Sequence, residues 1–123
     1  LNMKTKEGKK LWIRKSHVIA LTELIQNLEK AGFKNTYAYD SDGERTEKNP
    51  SILDALHQVS CCEMGALDFD HKDGWVFCLQ IITSNDDVID NVPDWSWQAK
   101  CPQSIQDKFT AVMDSWFDDH ENY

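Results

Sequence analysis

The sequence predicts an α+β domain, with about three helices packed on a small antiparallel sheet of three to five strands. Three observations lead to this reading. Segments 16–31 and 102–116 carry apolar residues at helical spacing, and Asn49-Pro50 opens a third such segment. The runs 33–39, 67–70 and 75–82 are rich in strand-forming residues. The connections between strands are short, which favours antiparallel pairing over helical crossovers. A mostly helical domain with one hairpin is the second choice.

Each element has its own signal. Lys4 to Ile13 alternates weakly around Glu7-Gly8 and reads as a short hairpin ending in Leu11-Trp12-Ile13. Ser16 then reads as an N-cap. Val18, Leu21, Ile25 and Leu28 form an apolar stripe closed by Gly32, where a glycine with positive φ ends a helix. Phe33–Tyr39 reads as a strand, and Asp40-Ser41-Asp42-Gly43 as a turn. Asn49 is the expected cap of the second helix and Pro50 its first residue. Ile52, Ala55, Leu56, Val59, Cys62 and Ala66 continue its apolar face, and the helix is expected to end near Gly65. Leu67–Asp70 alternates, Lys72-Asp73-Gly74 turns, and Trp75–Ile82 is apolar enough to suggest a central strand covered on both faces. Val88-Ile89 is a candidate short strand, and Pro93–Cys101 is irregular. Pro102 opens a last helix with Ile105, Phe109, Val112, Met113 and Trp116 on one face. Trp12 and Trp116 fit buried positions.

The chain reads as one compact domain over 1–123, with a basic segment at 1–15 and an acidic tail at 118–123. With 41% apolar residues in 123, it can bury a real core, so disorder is excluded for most of its length. Met3 reads as the natural start, with Leu1-Asn2 as remnants ahead of it.

The formal net charge of −8 is unevenly distributed. Residues 1–15 carry six basic side chains against Glu7 alone, a net +5. Residues 51–123 carry fourteen acids against Lys72, Lys100 and Lys108, a net −11. A field of that sign repels nucleic acid and anionic membranes and steers basic partners inward. Direct nucleic-acid binding and membrane association are therefore not expected. No run of eighteen apolar residues occurs, and the N-terminal lysines precede no signal-like apolar stretch. Together with four cysteines and no secretion signal, this points to a cytoplasmic protein with reduced thiols.

No motif specifies a catalyst or cofactor. His57 and Cys61 lie at i, i+4, and Cys78 and Cys101 complete a Cys3His set of the kind that holds tetrahedral zinc. The Cys-x-x-Cys pair usual in zinc domains is absent, so no metal is expected. Asp40-Ser41-Asp42-Gly43 matches part of a calcium loop, but Asn49 stands where the bidentate Glu belongs. Asp70-His71-Lys72 with Asp54 resembles a nuclease acid-x-Lys arrangement, yet a turn follows Lys72 and the chain's charge opposes a polyanionic substrate. No local signature marks any of the four cysteines as a nucleophile beside His17, His57, His71 or His120. The glycines are scattered singly, without a phosphate loop.

The candidate site is then a surface. Trp95 and Trp97 alternate in a stretch flanked by Asp86, Asp87, Asp90 and Asp94. Aromatic anchors ringed by charge have the composition of a binding hot spot. The expected function is that of a small acidic, non-catalytic inhibitor or antidote. Its expected partner is a protein with a basic surface, such as a nucleic-acid-handling enzyme, in the manner of immunity proteins or phage anti-restriction and anti-CRISPR proteins. The alternatives are a small Cys/His zinc-binding or metal-dependent hydrolytic enzyme, and an accessory subunit whose basic and acidic parts meet different partners.

Overall fold

A computed structural model describes Thr5, residues 7–45 and residues 48–121. In chain order the elements are α1 (Lys15–Lys30), β1 (Phe33–Tyr39), α2 (Ile52–Ser60), β2 (Gly65–His71), β3 (Val76–Ile81), a 3-10 turn (Val88–Asn91), β4 (Trp95–Trp97) and α3 (Gln103–His120). The strands form one antiparallel sheet in the order β1-β2-β3-β4, and the three helices pack on it. The α+β prediction is correct.

The sheet forms because period-two burial runs through its two central strands. Leu67, Phe69 and His71 of β2 point to the helical face, as do Phe77, Leu79 and Ile81 of β3. Asp68, Asp70, Val76, Cys78 and Gln80 point to the other face, which none of the described helices covers. β3 is thus covered on one face rather than two. Its apolar appearance came from Val76 and Cys78, which are only half buried. In β1 a bulge between Asn35 and Tyr37 changes the alternation, so Phe33, Asn35 and Ala38 face the core. Asn35 Nδ2 donates to the Tyr37 and Asp68 carbonyls at 3.0 and 2.9 Å, filling the gap that the bulge opens.

The core centres on four phenylalanines. Phe77 stacks on Phe109 with centroids 4.5 Å apart, and Phe33 meets both edge-on at 5.0 and 5.1 Å. Phe69 approaches Phe109 from β2 at 6.3 Å. α1 contributes Val18, Leu21, Leu24, Ile25 and Leu28, and α3 contributes Ile105, Phe109, Met113 and Trp116, so both stripes read from the sequence are buried except at Val112, which is half buried at the edge of the core. Trp116 Nε1 donates to the Ala20 carbonyl at 2.8 Å and joins α3 to α1.

Two glycines are set by their surroundings. Gly32 follows α1 with φ of 97°, the left-handed conformation expected there. Gly65 opens β2 beneath α2, where a Cβ would stand 2.7 Å from the Tyr39 carbonyl oxygen and 2.8 Å from the Val59 Cα.

Several local expectations are corrected. α1 begins at Lys15 with Arg14 in the cap position, so Ser16 is inside the helix. α2 is capped by Ser51, whose Oγ accepts the Asp54 N–H and donates to the Asp54 carboxylate. Asn49 instead adopts φ of 59° and donates its N–H to the Thr36 carbonyl at 2.9 Å, which holds the approach to α2 against β1. The helix ends at Ser60, so Cys62 lies beyond it, its thiol bonded between the Ser41 N–H and the Met64 carbonyl. Val88-Ile89 belong to the 3-10 turn and not to a strand, whereas Trp95–Trp97 do pair with β3. Trp12 is 76% exposed, with the Lys10 ammonium 4.7 Å above its ring. The Thr5 N–H donates to the Lys9 carbonyl at 3.1 Å and the Gly8 N–H to the Thr5 carbonyl at 3.0 Å, while Lys4 and Lys6 of the expected hairpin lie outside the described residues, as does Met3. The tail read at 118–123 continues α3 to His120, and its last two residues lie outside the described set.

Candidate interaction surface

The connection from β3 to β4 carries all four aspartates singled out in the sequence, and its backbone is tightly organised. Ile82 N–H donates to the Asn91 carbonyl at 2.9 Å and Gln80 N–H to the Asp94 carbonyl at 3.0 Å. Asn85 Nδ2 donates to the Asp90 carbonyl at 2.7 Å. Asn91, fully buried, donates to the Asp87 carbonyl at 3.0 Å and lies 3.1 Å from Nδ1 of buried His17 on α1. Val92 is buried in the core beside them. The loop is therefore pinned at its base by polar and apolar contacts, while Asp86, Asp87, Asp90 and Asp94 remain on its outer surface.

The four acids are not equivalent. Asp86 pairs with Arg14 at 2.6 Å, and the same guanidinium donates to the Asp86 carbonyl at 3.0 Å. The basic N-terminal segment thus reaches back to the acidic loop, seventy-two residues away, and offsets one of its charges. The Asp94 carboxylate accepts the Trp95 N–H at 2.8 Å, which orders the entry to β4. Asp87 stands at the N-cap of the 3-10 turn and Asp90 within it.

The fold adds charge that the sequence had placed elsewhere. The C-terminal turn of α3 returns to this loop, so Asp119 and Glu121 line one recess with Asp86, Asp87, His17 and His120. A neighbouring recess is lined by Asn85, Ile89, Asp90, Val92, Pro93 and Phe117. Phe117 lies one step off the buried stripe of α3, and Trp95 packs on it with centroids 5.9 Å apart at 31°. Ile89 and Phe117, with Trp95 packed on Phe117, thus adjoin Asp90 in this recess, while carboxylates from two segments of the chain line the other one. An apolar residue beside a helical stripe was the available signal for Phe117.

Trp95 and Trp97 share a face. They pair with Leu79 and Phe77 in register and point toward the helical side at the sheet's edge. Trp95 is half buried, and Trp97, 38% exposed, leans on Phe77 at 6.2 Å. Both rings are thus seated against the core and open to solvent on one side.

The alternative zinc set is not brought together. Cys61 Sγ stands 4.0 Å from His57 Nδ1 at the end of α2. Cys78 lies on the helix-free face of β3, and Cys101 is buried ahead of α3. Among the described residues, no three His, Cys, Asp or Glu side chains are placed to hold one metal ion. The Asp40 carboxylate accepts the Asp42 and Glu44 N–H groups at 2.9 and 3.1 Å, so it serves its own turn. Asp54 is occupied by the α2 cap.

The helix-free face carries a polar cluster that sequence reading missed. Tyr39 donates from its hydroxyl to the Asp68 carboxylate at 2.7 Å, and Arg45 lies over the Tyr37 and Tyr39 rings at 4.5 and 5.2 Å. Burial, with the bonded Asp68 carboxylate second, pushes the Tyr39 hydroxyl up to about 12. Burial and then Asp68 push the Cys78 thiol up to about 11. Both groups hold their protons at neutral pH, so neither is an activated nucleophile. The signal was antiparallel register: Tyr39, Asp68 and Cys78 fall on one face only once the bulge in β1 is known.

Comparison of the chain with protein-family models, with curated proteins and with solved structures finds no match. Among the described residues, no helix is long and apolar enough to cross a membrane.

Proposed function

We propose that the chain is a small, non-catalytic binding protein that inhibits or neutralises a partner bearing a basic surface. Intracellular enzymes that handle nucleic acid, whose grooves are positive, are the fitting class of target. One observation carries this reading. Asp86 and Asp87 share one recess with Asp119 and Glu121 from the end of α3, and Asp90 of the same loop borders a second recess holding Ile89 and Phe117, with Trp95 packed on Phe117. Rigid aromatics supply contact area at low entropic cost, and the surrounding carboxylates select and accelerate a cationic partner. A loop pinned to α1 through Asn91 also loses little freedom on binding, so less interaction energy is offset by ordering. The proposed role is that of immunity and anti-defence proteins, and it rests on charge and shape alone.

The test is kinetic. The tagged protein recovers its partner, and association is then measured with purified components over a salt series. The expected partner is a basic nucleic-acid-handling enzyme whose activity falls on binding. Substituting Asp87, Asp90, Asp94 and Asp119 together by lysine is expected to slow association by about 10-fold or more, with a weaker salt dependence. An unchanged association rate in a folded variant refutes the proposal.

A further inference from the structure

A third recess lies at the opposite chemical extreme from the acidic edge. It is formed where Gly32, the start of β1, the turn ahead of α2 and the β2–β3 turn converge. It encloses about 440 Å³ and is lined by Gly32, Lys34, Thr36, Lys48, Asn49, Asp70, His71 and Lys72. Three lysines from three separate segments meet here in a chain whose net charge is −8.

His71 is the decisive group. Its side chain is 3% exposed and its ring rests on Phe33 at 5.1 Å. Nδ1 accepts the Asp73 N–H at 3.2 Å and lies 3.7 Å from the Asp73 carboxylate on the far edge of the ring, which leaves Nε2 as the edge free to donate. His71 itself is part of the lining of the recess. The Nε2 edge faces Gly32, where even an added Cβ would be 3.8 Å away. A buried ring thus presents a donor to a recess whose lining includes three lysines. One acid lines the recess: Asp70, which accepts a hydrogen bond from the Thr36 hydroxyl at 3.2 Å.

We propose that this recess binds the phosphoryl group of a small phosphorylated molecule. The charge count selects the ligand class. Three ammonium groups less the Asp70 carboxylate leave +2, which matches a phosphomonoester dianion near neutral pH. A carboxylate would leave one positive charge without a partner. A nucleic-acid backbone would bring further phosphates against the acidic remainder of the surface. Lysines act here as point charges, and the His71 N–H supplies the directional bond. The inference is independent of the acidic edge and stands whether or not that edge binds a protein.

The probe is inorganic phosphate, titrated at pH 7.5 into the ¹⁵N-labelled full chain at constant ionic strength maintained with chloride. Saturable shifts are expected at Gly32, Thr36, Asn49 and His71, with the largest imidazole change at His71 Nε2. The combined variant K34A/K48A/K72A alters three exposed side chains, so its spectrum should stay native while phosphate affinity falls at least 10-fold. An organic phosphomonoester is expected to bind at the same residues. Shifts that do not saturate, or that persist in the triple variant, overturn the proposal. So does a mixed-sequence single-stranded oligonucleotide that binds these residues more tightly than the monoester does.

Discussion

Gly65→Ala isolates a close approach between α2 and the sheet. Gly65 has no positive φ, so alanine is compatible with its backbone, and the substitution also removes freedom from the unfolded chain, worth about 0.4–1 kcal/mol in favour of folding. Space decides otherwise. The new Cβ would lie 2.7 Å from the Tyr39 oxygen and from Val59 Cβ, and 2.8 Å from Val59 Cα. Carbon contacts are optimal at about 3.5–4.0 Å, so α2 or β1 must retreat by nearly 1 Å. Two of the three obstructing atoms are backbone, and no rotamer change relieves them. A gap of that size costs the buried Ala55, Leu56 and Val59 about a quarter to a half of their contact energy on that side. Overpacking of this kind costs about 3 kcal/mol. Less the entropic gain, the net loss is about 2 kcal/mol. At a urea slope near 2 kcal/mol/M, the midpoint falls by about 1 M, read by tryptophan fluorescence. A midpoint equal to or above that of the parent refutes the packing argument.

Other expectations follow from the same contacts. Phe109→Ala empties the centre of the phenylalanine cluster and should cost about 3–5 kcal/mol by the same urea assay, whereas a loss under about 1 kcal/mol would show that the site collapses freely. Arg14→Ala removes an exposed ion pair, so despite its 2.6 Å geometry the stability change should stay within about 1 kcal/mol. Tyr39 and Cys78 bind their protons more tightly in the fold than in the unfolded chain, where they titrate near 10.0 and 9.0. Stability present below pH 9 should therefore fall as the pH rises toward 12, and the Tyr39→Phe/Cys78→Ala double variant should flatten that fall. Identical pH curves for parent and variant would remove these two groups as its cause. At pH 8, alkylation should reach Cys78 and Cys101 last, because burial raises both thiols and shields them, and mass spectrometry of the labelled sites decides it.

The sequence by itself determined the parts of this protein that depend on local periodicity. The stripes Val18-Leu21-Ile25-Leu28 and Ile105-Phe109-Met113-Trp116 are buried as their spacing requires, and the runs around Phe69 and Phe77 are strands. Turn chemistry was equally legible at Asp40–Gly43 and Gly32, because a carboxylate bonding its own backbone or a positive φ is a property of neighbouring residues. Charge asymmetry was legible as a count but not as a surface. Only the tertiary structure decided that Asp119 and Glu121 join Asp86 and Asp87, that Arg14 offsets one of them, and that Lys34, Lys48 and Lys72 meet over His71. It also decided that Trp12 is exposed while Trp95 and Trp97 are seated on the core at the sheet's edge. The physical reason is common to all of these. Local patterning fixes which face of an element is apolar, but the sheet's register, the bulge in β1 and the closeness of α2 at Gly65 fix which distant residues share a surface. Those depend on contacts between segments far apart in the chain.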